Sequence, residues 1–310
     1  MPRKLRVATT SWARRDIPVP RGNLEFAWTL LEAAGASGAD IVVLPETFNV
    51  ARTPLKDWPG LAERSIPGPV SYRLAEYARK FEMYVVAGLL NYRDGLLRNT
   101  SMVLDHQGNE VGRYEKYHPT MEEISVGVVP GDLPPRVFPT GLGRIGLETC
   151  FDIAWPEDWD ALGHQGAELV FWPSAYDGGS PLEGYAARNR YYLVSSVYSD
   201  HSKVIDITGE IIGGTSPYSS LFVTEIDLEK ETFLSTDNEL RILEMQTKYG
   251  RAVTVRSLTE ETLLTIESND PEITVEQLKR EFGLENYADY HARARAVQDE
   301  RRSAKAKVPT

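Results

Sequence analysis

The chain of 310 residues has a single cysteine, Cys150. One thiol cannot close an internal disulfide, which excludes a disulfide-stapled scaffold and points to a reducing compartment. No apolar run reaches the ~18–20 residues of a membrane span. The opening "MPRKLRVATTSWARRD" lacks the apolar core of a signal peptide, so a cytoplasmic protein with no membrane partner is expected. Basic charge is also short: 34 Lys and Arg against 45 Asp and Glu leave −11 at neutral pH. Such a body repels phosphate backbones, so no nucleic acid partner is expected. The basic stretch 291–310 reads as a solvated terminal helix. The five histidines and one cysteine show no zinc-ligand spacing, and no metal or cofactor is expected. Asn99-Thr100-Ser101 has the form of a glycosylation site, but without an export signal it reads as chance.

What is present is an α/β pattern. Apolar residues make up 42% and charged residues 25%, as in ordinary soluble domains. "KLRVATTSW", "IVVLPE" and "YVVAGLL" read as strands. Between them, Phe26, Leu30, Leu31 and Ala34, and then Leu74, Tyr77, Ala78 and Phe81, recur at helical spacing. Strands dominate afterwards, with hairpins expected around Gln107-Gly108-Asn109 and within "RVFPTGLGRIGLETC". The G-x-G-x-x-G of Gly141 to Gly146 is followed by an extended run, so it reads as a hairpin turn rather than a dinucleotide loop. A helix is expected over Leu182–Arg190. Residues 1–236 read as one α/β domain and 237–310 as a helical extension, with Thr274 as an N-cap and Gly283 as a stop.

Three positions at strand ends draw attention. Cys150 closes "RIGLETC", where a side chain is held rigidly yet points out of the sheet, as a nucleophile requires. Glu46 follows Pro45 at the end of a buried strand; open α/β sheets gather ligand groups at such ends. Lys116 lies where "GRYEK" runs into a proline-broken turn, followed by Glu122 and Glu123. A thiol needs a cation or a base beside it to ionise. Glu46 and Lys116 can supply these. His118, in "KYHPT", leaves a Cys-His arrangement open.

Taken together, Pro45-Glu46, Tyr114-x-Lys116 and Cys150-x-Asp152-x-x-Trp155-Pro156-Glu157, in that order, resemble the nitrilase superfamily of carbon-nitrogen hydrolases. The resemblance runs from about residue 5 to residue 230. It implies a four-layer α-β-β-α sandwich with a C-terminal helical extension. It also implies a Glu-Lys-Cys triad of Glu46 as general base and acid, Lys116 as cation and Cys150 as nucleophile. A second glutamate is implied between Lys116 and Cys150; Glu123 fits better than Glu122. The Phe151 N–H is the expected oxyanion donor. Asp152 and Glu157 are expected to order the turn. Trp155, Trp172 and Tyr176 are candidates for lining the pocket, although aromatics near a strand end are more often core. Phe151-Asp152 after the cysteine is similar to the amidase branch, so a linear amide is the expected substrate. Nitriles and ureido compounds are the alternatives, the latter if Arg188 or Arg190 grips a carboxylate. A catalytically silent binding member is a further alternative. Members commonly pair, so a homodimer or larger even homo-oligomer is expected.

Overall fold

The computed structural model describes residues 2–12, 21–236 and 238–305. Two compact units emerge, Leu5–Ile226 and a second comprising the N-terminal residues to Lys4 with Asp227 onward. The boundary expected at 236/237 falls inside the second unit.

The first unit begins with β1 (Lys4–Thr10), α1 (Arg21–Ala36), β2 (Ile41–Val43), the short α2 (Trp58–Leu61), α3 (Pro69–Phe81) and β3 (Tyr84–Arg93). β2 pairs in parallel with both β1 and β3. The expected helical stripes form the packing: Leu30, Leu31 and Ala34 of α1 and Leu74, Tyr77 and Ala78 of α3 share one core with Ala8, Val42 and Val85. β4 (Leu96–Leu104) and β5 (Glu110–Glu115) continue as antiparallel neighbours. The β4–β5 hairpin turns at the expected Gln107-Gly108-Asn109. The β3–β4 hairpin, which sequence reading did not anticipate, turns at Asp94-Gly95, both with positive φ. That dipeptide is the strongest short hairpin signal a sequence carries.

After α4 (Met121–Ser125), a second sheet is built from β6 (Val137–Pro139), β7 (Arg144–Leu147), β8 (Leu169–Pro173), β9 (Tyr192–Ser196), β10 (Lys203–Ile205) and β11 (Ile211–Gly214). α5 (Pro156–His164) follows β7, and α6 (Pro181–Asn189) follows β8. These helices pack Trp159, Leu162, Leu182 and Ala186 against Val170, Trp172 and Leu193. β12 (Leu221–Asp227) returns to the first sheet beside β1. The inner faces meet through polar groups as well as apolar ones. Ser196 Oγ donates to the Thr10 carbonyl at 2.7 Å, and the Ser101 and Thr149 hydroxyls lie 2.8 Å apart. The result is the expected α-β-β-α layering. The G-x-G-x-x-G stretch is the β6–β7 hairpin.

The second unit carries α7 (Glu239–Tyr249), α8 (Val275–Phe282) and α9 (Tyr287–Lys305). Thr274 caps α8 by accepting from the Gln277 N–H, and Gly283 ends it in the left-handed conformation, as expected. The extension is more than helical, however. β13 (Glu231–Leu234), β14 (Val253–Leu258) and β15 (Leu263–Ser268) form an antiparallel sheet with β15 in the centre. Phe233, Leu264 and Ile266 meet Ile242, Met245 and Leu278 in its core.

Candidate active site

Glu46, Lys116, Cys150 and Glu123 converge in the first unit from four separate segments. β2 delivers Glu46 through Leu44-Pro45. The chain then turns sharply at Thr47, which has φ 41°. Gly88 of β3 makes this possible, because a Cβ there would lie 2.6 Å from the Glu46 Cα. Only glycine permits so close an approach of two backbones. Behind Lys116, a Cβ on Gly131 would meet the Glu115 carbonyl oxygen at 2.1 Å. The Gly131 N–H donates to the Lys116 carbonyl, and the Lys116 N–H to Asn99. Cys150 follows β7 with φ 50°, a left-handed conformation that is uncommon for a residue with a side chain and concentrates at functional sites. Trp172 Nε1 donates to the Cys150 carbonyl at 3.1 Å and holds the turn.

Lys116 is 1% exposed. Its Nζ donates to Glu46 Oε1 at 2.8 Å and to Glu123 Oε2 at 2.6 Å. Burial alone lowers a lysine's proton affinity. Here Glu46, Cys150 and Glu123 outweigh it and hold the ammonium well above its ordinary value. Asn99, read from sequence as a chance glycosylation signal, is buried and joins the same network. Its Nδ2 donates to Glu46 and to Glu123, both at 2.7 Å. The Ala175 N–H donates to Glu46 Oε2 at 2.9 Å, and the Tyr198 hydroxyl donates to the Glu46 carbonyl at 2.8 Å. Sequence reading missed Asn99, Ala175 and Tyr198, because a polar residue inside a strand and a backbone amide carry no motif.

Glu123 rather than Glu122 turns inward: Glu123 is buried and Glu122 exposed. The cause is a capping box. The Thr120 hydroxyl accepts from the Glu123 N–H at 3.3 Å, and the Thr120 N–H donates to Glu123 Oε2 at 2.8 Å. The pattern Thr120-x-x-Glu123 was legible in the sequence and separates the two glutamates.

The Cys150 thiol is close enough to Glu46, Lys116 and the Ala175 N–H to feel all three. Burial pushes its proton affinity up, Glu46 adds to this, and Lys116 opposes it without overcoming it. The resting sulfur is therefore a protonated thiol beside a carboxylate.

Asp152 orders the turn as expected. It accepts from the Tyr114 hydroxyl at 2.8 Å, the His118 N–H at 2.9 Å and the Thr149 N–H at 3.1 Å. Glu157 is exposed in the first turn of α5, where it complements the helix dipole rather than ordering the cysteine turn. His118 does not serve as a base for the thiol. Its Nε2 lies 2.9 Å from Asp158 Oδ2, and its ring stacks on Trp155 at 3.7 Å. Phe151 packs edge-on against Trp155. Trp172 is fully buried, so it supports the site rather than lining it. Tyr176, half in solvent, feels the charges of Cys150, Glu46 and Lys116. Arg188 reaches Asp160 at 2.7 Å, and an Arg190 guanidinium nitrogen lies 3.3 Å from the Ile207 carbonyl.

Comparison with known proteins identifies the family. The carbon-nitrogen hydrolase family profile matches residues 19–234. The omega-amidase NIT2 of Bos taurus is 31% identical over 235 residues, 67% of this chain and 84% of that protein. The beta-ureidopropionase of Arabidopsis thaliana is 32% identical over 193 residues, 57% of this chain and 47% of that protein. Among solved structures, a cysteine variant of the amidase of Nesterenkonia sp. AN1 in complex with butyramide superimposes with a TM-score of 0.64. It shares 23% identity and covers 72% of this chain and 90% of its own. The chain belongs to the carbon-nitrogen hydrolase family.

Proposed function

We propose that the protein hydrolyses a linear amide to its acid and ammonia through a thioester on Cys150. The observation that carries this reading is the burial of Lys116 between Glu46 and Glu123, with the thiol beside the same carboxylate. Glu46 takes the Cys150 proton as the sulfur attacks the carbonyl carbon. The oxygen that becomes negative is met by the Lys116 ammonium and the Phe151 N–H. The latter opens a 3₁₀ turn over Cys150–Ala154, where the first amides have no intrahelical partner. Glu46 returns the proton to the nitrogen, the C–N bond breaks and ammonia leaves. Water then donates a proton to Glu46 and attacks the thioester. The acid departs and the thiol is restored. Glu123 keeps Lys116 aimed at this centre.

Phe151, Trp155 and Tyr176 form an aromatic wall for the rest of the substrate. Amidase relatives support an amide; the ureidopropionase relative makes N-carbamoyl acids the second class to test. The remaining proposals concern setting. The enzyme works in the cytoplasm as a homodimer or higher even homo-oligomer, and the C-terminal extension stabilises that assembly. An ammonia-release screen over linear amides, nitriles and ureido acids tests the reading, with Cys150→Ala as control. Release from amides that disappears in the variant supports it. Release from nitriles or ureido acids alone, or release that survives in the variant, overturns it.

A further inference from the structure

Glu148 has no part in the chemistry above. It stands at the end of β7, two residues ahead of Cys150, with 0% exposure. Neither of its carboxyl oxygens has a hydrogen-bond partner. Alternation along "RIGLETC" places it on the face of Arg144, which is exposed. The groups that face Glu148 are Asp152 from the cysteine turn, Asp158 from α5, Tyr114 from β5, Tyr185 from α6 and Tyr191 ahead of β9. None of these five is a cation. The Tyr114 hydroxyl is close enough to favour the charged form of Glu148, but its proton is given to Asp152 at 2.8 Å. An ionised carboxylate at this place has no counter-ion and no donor of its own, so the neutral acid is favoured. Burial, with Asp152 and Asp158 adding to it, holds Glu148 well above the usual carboxylate range. Asp152 differs. Burial raises it too, but Lys116, Tyr114 and His118 pull back, leaving it at about 6.

We propose that Glu148 is a positioning residue of the nucleophile turn: an uncharged carboxylic acid that keeps one negative charge, that of Asp152, behind Cys150 instead of two. The single Asp152 carboxylate gathers Thr149, Tyr114 and His118 around the strained Cys150 backbone. A second charge beside it repels that carboxylate and disfavours a thiolate, because buried charges are poorly screened. This inference rests on Cys150 being the nucleophile, and its test needs no amide turnover.

The test compares the full-length wild type with Glu148→Gln and Glu148→Met by three readouts. By infrared spectroscopy at about pH 8, where an acid with a value of about 6 is ionised, the wild type shows a protonated-carboxyl band that both variants lack. In thermal unfolding, the raised acid binds more protons folded than unfolded, so wild-type stability falls as pH rises from about 6 to 8. Glu148→Met flattens that slope. In iodoacetamide labelling of Cys150, the ratio of Glu148→Gln to wild-type rate stays near one at neutrality. It rises at least about threefold at alkaline pH, where the wild-type acid ionises. Glu148→Met, an apolar replacement of similar size, keeps the test open if the glutamine variant does not fold. A wild type without the band, an unchanged slope or a rate ratio flat with pH overturns the proposal. Failure of the ammonia screen leaves all three readouts intact.

Discussion

Lys116 illustrates how few side chains need to be right for the site to exist. Its ammonium sits between two carboxylates at 2.8 and 2.6 Å, and Asn99 ties those carboxylates to each other. Removing a donor aimed at a developing oxyanion typically slows turnover about 10²–10³-fold. Lys116→Ala is expected to fall in that range, measured as kcat on whichever amide the screen identifies. Glu46→Gln keeps the shape but loses the base. With no group to take the thiol proton or return it to the leaving nitrogen, kcat on the amide found in the screen is expected to fall at least about 10²-fold. An unchanged kcat contradicts the role given to Glu46. At this scale, the residues legible in the sequence were those fixed at strand ends by Pro45, by the proline-broken turn after Lys116 and by the close of "RIGLETC". Asn99, Ala175 and Tyr198 were not, because their roles depend on contacts between segments far apart in sequence.

Among the elements, α4 has an influence out of proportion to its five residues. Its capping box selects Glu123 and aims it at Lys116. Thr120→Ala is expected to cost about 1 kcal/mol of stability. It also frees the Glu123 carboxylate, so kcat falls further than stability alone explains. Thr274→Ala removes the same kind of cap from α8 and costs about 1 kcal/mol with kcat unchanged. Urea unfolding and steady-state kinetics on the two variants distinguish a local effect on the site from a general loss of stability. Equal kinetic effects contradict this assignment. The strands of the first unit were readable because they are buried runs or clean alternations. β14 was not, because only Val253 of its six residues is buried, and "VTVRSL" shows no inward stripe.

For the molecule as a whole, burying the site ties stability to pH. Burial raises the Cys150 thiol above its ordinary 9.0, and its carboxylate neighbours raise Lys116 above 10.5 despite burial. Both groups therefore hold more protons folded than unfolded at alkaline pH. Their contribution is complete below about pH 9 and is lost as pH rises beyond it. Cys150→Ser removes the thiol's share, so its melting temperature is expected to decline less steeply between about pH 9 and 11. Parallel declines contradict this. The layered sandwich was legible because helical and strand periods alternate along the first unit. The second unit was only half legible, since its three-stranded sheet draws partners from both sides of α7.

The central claim is that Cys150 forms a covalent acyl intermediate during amide hydrolysis. Intact-protein mass spectrometry after acid quench, with a linear amide active in the ammonia screen, tests it most directly. The account predicts a mass increase equal to the acyl group, located on Cys150 and absent from Cys150→Ala. Turnover without any such adduct, or an adduct on another residue, contradicts it.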